Sequence, residues 1–244
     1  MQPLIDFSPA RRHAWSAIPL MLFFGFGGLN ARAADLYILT HGSSEELAFA
    51  RHIESQSQPD QFTRSGPVGI LIEASLPELY KSAALIGVRT RAEQHTGFDI
   101  LQIAGDGVVT EEVIGRYLAL SRQVDALPRS LLAITPVNYK FRFTGEVKTG
   151  GSLAYVYDIV PRKKQPGLLK GQLWMDSGTG AEVMLAGHLI GGSGTGDLIE
   201  LTRDTKLVNG CAFARVTHLA WSIPLLGRAE VVITETLLRP DMVP

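Results

Sequence analysis

The sequence predicts a mainly β domain of the α+β class: an antiparallel curved sheet or half-barrel of about ten strands, with two helices as its lid. Three observations carry that expectation. Short segments rich in β-branched residues recur from Val68 onward, their connections are too short for parallel crossovers, and helical periodicity is confined to two stretches.

The chain opens with a basic patch (Arg11, Arg12, His13), an apolar run from Ala14 to Leu29, and the small-residue pattern Ala31-Arg32-Ala33. That order reads as a secretory signal peptide cut after Ala33. The apolar run of about 16 residues, broken by Pro19 and several glycines, is shorter than the roughly 20 that a membrane-spanning helix needs. The expected organisation is a signal peptide over 1–33 and a single domain over 34–244. A chain that is 45% hydrophobic and 19% charged can bury a core of its own. Loss of Arg11, Arg12, Arg32 and Asp6 with the signal takes the formal charge from −1 to −3. Such a balance does not suit nucleic acid, which calls for a concentrated basic face. The single cysteine, Cys211, allows no intrachain disulfide, and none lies at the cleavage point to take a lipid. The mature protein is therefore expected free in the periplasm or outside the cell.

Taken in order, Ser43-Ser44-Glu45-Glu46 caps a helix that carries Leu47, Phe49, Ala50 and Ile53 on one side. A loop over 56–67 follows. Three strands come next, over 68–76, 83–91 and 98–103, separated by Pro77, by Gln94-His95-Thr96-Gly97 and by Gly105-Asp106-Gly107; the stretch after Pro77 has room for a helical turn. Thr110-Glu111-Glu112 opens the second helix, with Val113, Ile114, Tyr117 and Leu118 on one face and its end before Pro128.

Beyond Pro136 the β signal strengthens. Apolar and polar residues alternate from Tyr139 to Val147, as a strand with one wet face requires. Lys148-Thr149-Gly150-Gly151 turns the chain into a strand over 153–160, and the basic elbow Pro161-Arg162-Lys163-Lys164-Gln165-Pro166-Gly167 follows. Strands over 169–176 and 181–190 are joined by Ser177-Gly178-Thr179-Gly180, and those over 198–207 and 211–221 flank the hairpin signal Asn209-Gly210. A strand over 227–238 ends the series.

Motifs that would carry chemistry fail on context. Gly191-Gly192-Ser193-Gly194-Thr195-Gly196 is followed by a strand, whereas a phosphate-binding glycine loop must open a helix. The histidines show no His-Glu-x-x-His spacing and no Cys/His cluster, so no metal or other cofactor is expected. Ser43 lacks the Gly-x-Ser-x-Gly elbow of a nucleophile, and Cys211 has no assignable partner histidine. Arg162, Lys163, Lys164 and Lys170 read as a solvated elbow rather than a lipid-reading patch.

Tyr139-Lys-Phe-Arg-Phe-Thr-Gly-Glu, Tyr157-Asp-Ile-Val-Pro-Arg-Lys-Lys, Gly167-Leu-Leu-Lys-Gly-Gln-Leu-Trp-Met-Asp176 and Gly187, with Leu201-Thr-Arg-Asp-Thr after them, stand in a familiar order. The chain resembles secreted bacterial proteins related to outer-membrane lipoprotein-sorting proteins, a superfamily that includes LolA, LolB and the sensor domain of RseB-type regulators. The resemblance is best over 136–238 and looser over 68–120. It implies an open half-barrel whose concave apolar face is lidded by helices and holds acyl chains. Alternation nominates the wall: Phe141, Phe143, Leu173, Met175, Val183, Leu185, Val231 and Ile233. The function so implied is an exported, non-catalytic, monomeric binding protein for a hydrophobic ligand or lipoprotein acyl chains. An envelope sensor or interaction module of the RseB type, with a protein partner, is the alternative. An enzyme comes third, and it requires Asp176, His188 and Glu200 to converge in the groove.

Overall fold

Among the described residues ten strands form one open antiparallel sheet, and the two edges of that sheet are consecutive in sequence. They are β1 (Val68–Leu76), β2 (Lys81–Arg91), β3 (Thr96–Gly105), β4 (Tyr139–Thr149), β5 (Ser152–Pro161), β6 (Leu169–Asp176), β7 (Glu182–Leu189), β8 (Ile199–Val208), β9 (Cys211–Ile223) and β10 (Gly227–Leu237). Their spatial order is β3-β2-β1-β10-β9-β8-β7-β6-β5-β4. Hairpin neighbours pair along two meanders, and the long-range β1–β10 ladder, from Val68 opposite Leu237 to Ser75 opposite Glu230, joins the meanders into one sheet. The computed structural model describes residues 43–56, 66–91, 96–149, 152–190, 199–208 and 211–238. The expected signal peptide, the Gly191–Gly196 loop and the Asn209-Gly210 turn lie outside the described residues, as does the side chain of Cys211.

Because β3 and β4 lie at opposite edges, the chain between them has to cross one face of the sheet, and it crosses as helix. Helix α1 (Ser44–Gln56) precedes the strands. Its start is the expected capping box: Ser43 N donates to Glu46 Oε2 at 2.9 Å, and Glu46 N donates to Ser43 Oγ at 3.2 Å. Helix α2 covers 107–125 as Gly107–Val109, a π turn at Thr110–Gly115, and Arg116–Asp125. It begins three residues before the expected Thr110. The reason is Asp106, which accepts from Val108 N at 2.9 Å and Val109 N at 3.3 Å and so makes the supposed turn an N-cap. Lys81 Nζ adds an ion pair to that carboxylate at 3.1 Å. The lid also has a third member that was not expected, the short helix α3 (Arg129–Leu132) directly after Pro128. A single 3₁₀ turn, Pro77–Leu79, fills the space foreseen after Pro77.

Cross-strand partners fix which residues look toward the helices. One row runs Phe141, Ile159, Gly171, Gly187, Leu201, Leu219, Val231, Ala74, Ala83 and Gly105. The next begins Phe143, Tyr157, Leu173, Leu185 and ends Ile233, Ile72, Leu85, Ile103. Ile72, Leu85, Val109, Val113 and Ile114 are all within 1% of complete burial, so the middle of the core sits where α2 lies on β1 and β2. In the first row two glycines face each other, Gly171 on β6 and Gly187 on β7. A Cβ on either would come within 2.7 Å of the partner glycine's Cα and overlap a backbone carbonyl oxygen, so only glycine permits this approach of the two strands.

Candidate functional site

The helix-bearing face divides into two apolar lobes with a polar strip between them. The first lobe, on β4 to β6, is aromatic. Phe49 of α1 stacks on Tyr157 at 5.2 Å between ring centroids and meets Phe141 edge-on at 5.0 Å, while Phe143 lies 5.4 Å from Tyr157 and 6.1 Å from Tyr155. These are the separations at which rings attract beyond their area burial. The second lobe is aliphatic, made by Val231, Ile233, Ile72, Ala74 and Leu85 under α2.

Glu182 of β7, Arg203 and Thr205 of β8, and Arg215 and Thr217 of β9 supply the strip, and the ion pair of Arg89 with Glu235 at 2.7 Å extends it under α2. Arg203 grips Glu182 with both arms of its guanidinium, Nε to Oε1 at 2.7 Å and a terminal nitrogen to Oε2 at 2.8 Å. Burial pushes the Glu182 carboxyl up, but the charge and hydrogen bonds of Arg203, with Arg215 and His52 further off, outweigh it and hold the group below the ordinary carboxylate range. Tyr117 of α2 is pushed up to about 12 by burial and then by the nearby Glu235 carboxylate. Tyr157 Oη and Thr205 Oγ1 are buried and have no hydrogen-bond partner among the described residues.

Helix α1 is seated on the β6–β7 turn through backbone. Gly180 has φ +71°, and a Cβ there would come within 2.8 Å of His52 N and overlap the Ala48 carbonyl oxygen. Arg51 donates to the Gly178 carbonyl, and Ile134 N donates to Gln56 Oε1 at 3.3 Å. His52, 1% exposed, has Nδ1 3.3 Å from Gly180 O and Nε2 3.3 Å from Ile134 O.

The nominated wall residues fall as follows. Leu173 and Met175 are fully buried, Val231, Leu185 and Ile233 are within 4% of it, Phe141 is half-buried, and Phe143 is 45% exposed. Five of the eight are thus already covered by the protein's own side chains. Val183 departs from the alternation because it lies in a bulge, where Trp174 pairs with Met184 and Met175 with Glu182. It lines a groove of about 690 Å³ at the hairpin ends, with Trp174, Met184 and Phe213.

The polar triad does not converge. His188 stands opposite Glu200 on the face away from the helices, Glu200 is paired with Arg228 at 2.6 Å, and Asp176 accepts from Thr179 N and Oγ1 at 2.8 Å within the β6–β7 turn. Among the described residues no cluster of His, Cys, Asp and Glu has a metal-holding arrangement, and no helix is long and apolar enough to cross a membrane. The elbow is more than solvated charge, since Arg162 Nε donates to Pro136 O at 2.7 Å and Tyr139 O at 3.1 Å. Sequence reading placed Phe49 on the apolar side of the first helix without giving it a role, and it missed His52, Glu182, Arg203 and Arg215. Of these four, the two arginines left a trace, as charged residues at inward positions in register with Leu201 and Leu219.

No family model and no curated protein matches the chain. Solved structures do. A LolA superfamily protein from Nitrosomonas europaea is 10% identical, with 82% of this chain and 97% of that one covered and a TM-score of 0.32. A putative outer membrane lipoprotein-sorting protein domain from Vibrio parahaemolyticus is 11% identical over 81% and 93%, with a TM-score of 0.36. MucB is 13% identical over 81% and 94%, with a TM-score of 0.29. The chain is similar to LolA-superfamily structures. At these identities and TM-scores nothing about ligand or partner passes from those proteins to this one.

Proposed function

We propose that the protein is an exported, non-catalytic binding protein that shelters a hydrophobic ligand, a lipid or the acyl part of a lipoprotein, on the helix-bearing face of its half-barrel. On this reading residues 1–33 are removed on export, and the domain over 34–244 acts in the periplasm or outside the cell. The observation that carries the reading is the aromatic lobe. Phe49 of α1 packs on both Phe141 and Tyr157, which also meet each other edge-on, beside a Phe143 that is 45% exposed, so a helix outside the sheet supplies the ring that a guest would replace. An acyl chain entering that space gains about 0.8 kcal/mol per buried CH₂. The hydroxyl of Tyr157, unpaired among the described residues, offers the polar end of such a guest a hydrogen bond.

Native mass spectrometry and lipid extraction of the protein purified from periplasm, with titration by a fluorescent fatty acid, test the reading. Phe49→Ala is the informative variant. Removing the ring should cost about 2 kcal/mol of stability, less than for a fully buried Phe, and raise probe affinity several-fold. Protein that is always empty, together with an intact Phe49→Ala variant that ignores the probe, removes the carrier.

A second reading, an interaction module with an envelope protein partner, is favoured by the edge strand β3. Ile100, Leu101 and Ile103 are 45%, 61% and 46% exposed there, whereas the opposite edge β4 carries Lys140, Arg142, Glu146 and Lys148. A stable protein co-purifying with the full chain, and lost on Leu101→Lys, would support it.

A further inference from the structure

We propose that His52 makes the lid helix α1 acid-labile: the neutral imidazole keeps the helix seated over the aromatic lobe, and protonation releases it. The inference rests on the reading of α1 as a lid and names the group that regulates it.

His52 stands one turn after Phe49, so the residue that seats the helix and the ring that fills the lobe move together. Its ring is inserted between two segments of backbone, the β6–β7 turn at Gly180 and the stretch after α3 at Ile134. A neutral imidazole has one N–H, which serves one of these carbonyls; the imidazolium has two and could serve both. Whether that second bond repays the cation's lost water decides the sign. Both contacts are 3.3 Å, longer than the usual 2.9–3.0 Å. The neighbouring carboxylate, Glu182, is the strongest influence in favour of the cation, but it is gripped by Arg203 and acts on a ring that is 1% exposed. Burial therefore prevails over Glu182 and the two carbonyls, and the group is held below its ordinary value of 6.5 while seated.

The other charged groups around the seat do not change this. On α1, Arg51 is bonded to the Gly178 carbonyl, Glu54 is exposed to solvent, and Glu45 and Glu46 stand at the far end of the helix. In the turn, Asp176 is held by Thr179, and on α3 the charged residue is Arg129 at its start. Among the described residues, the Gln56 bond, the close approach at Gly180 and the Phe49 stack also hold α1, and none of these three involves a group that titrates near neutrality.

A base whose value is lowered in the seated form favours that form fully above 6.5 and progressively less as pH falls below it. Between pH 7.5 and 5.5 the released fraction rises by up to about tenfold. Hydrogen exchange of the full chain, without any ligand, reads this directly. Corrected for intrinsic rates, amides of 44–56 should lose up to about tenfold protection between pH 7.5 and 5.5 relative to those of β5 and β6, and His52→Gln should abolish the difference. Protection that is flat or rises in acid, or an equal slope in wild type and His52→Gln, overturns the proposal. Should the variant fail to fold, the wild-type His52 titration by NMR decides: a midpoint below 6.5 supports the latch and one at or above it overturns it. Because no lipid probe is present, this outcome is independent of whether the protein binds an acyl chain.

Discussion

Replacing Glu182 by alanine should lower the stability of the protein by about 2 to 3 kcal/mol, read as a lower urea midpoint at unchanged slope. The magnitude follows from where the pair lies. Fully buried pairs broken on one side cost 3–5 kcal/mol and exposed ones under about 1, and the Glu182 and Arg203 side chains are 14% and 30% exposed. Alanine removes two charge-assisted hydrogen bonds from Arg203 and the carboxylate whose charge also acts on Arg215 of the next strand. The same pair sets an acid limit. The folded carboxyl lies below its ordinary value of 4.5, so its contribution is complete above 4.5 and is lost as pH falls through the folded value. Wild type should therefore weaken more steeply than Glu182→Gln below pH 4.5. Equal midpoints for wild type and Glu182→Ala at pH 7 would show that the strip adds nothing to stability.

How far the sequence can be read depends on whether the deciding interaction is local. Strands β1 and β6 match their expected ends, 68–76 and 169–176, because each alternates cleanly and stops at a breaker, Pro77 or Ser177-Gly178. The start of α2 was misplaced because Asp106 between two glycines looks like a turn, and only the backbone N–H groups of Val108 and Val109 reveal it as a cap. Four-residue α3 is too short to show a period. The β1–β10 ladder has no local signature, yet it turns two meanders into one sheet. The site divides the same way. Phe141 and Phe143 are legible from the alternation of β4, whereas the bulge on β7 takes Val183 off the expected row. His52 becomes meaningful only when α1, the β6–β7 turn and the segment after α3 meet, and no periodicity in any one of them announces that meeting.

Gly171→Val should be the most damaging single change in the chain, costing on the order of 4 kcal/mol or more and yielding insoluble protein in the worst case. The added Cβ would overlap the Ala186 carbonyl oxygen and come 2.6 Å from Gly187 Cα. Neither obstacle is a flexible side chain, so β6 and β7 would have to separate where their ladder runs from Leu169 opposite Leu189 to Leu173 opposite Leu185. That ladder ties the aromatic lobe to the polar strip, and a break in it separates the lid's seat from the far half of the sheet. Gly115→Ala is the control. In the π turn a Cβ meets only Thr110 O at an ordinary 3.5 Å, so alanine should be neutral or stabilising by up to about 1 kcal/mol through helix propensity. Urea midpoints of both variants against wild type check the contrast. If Gly171→Val folds with the wild-type midpoint, the close approach of β6 and β7 is not what holds this half of the sheet together.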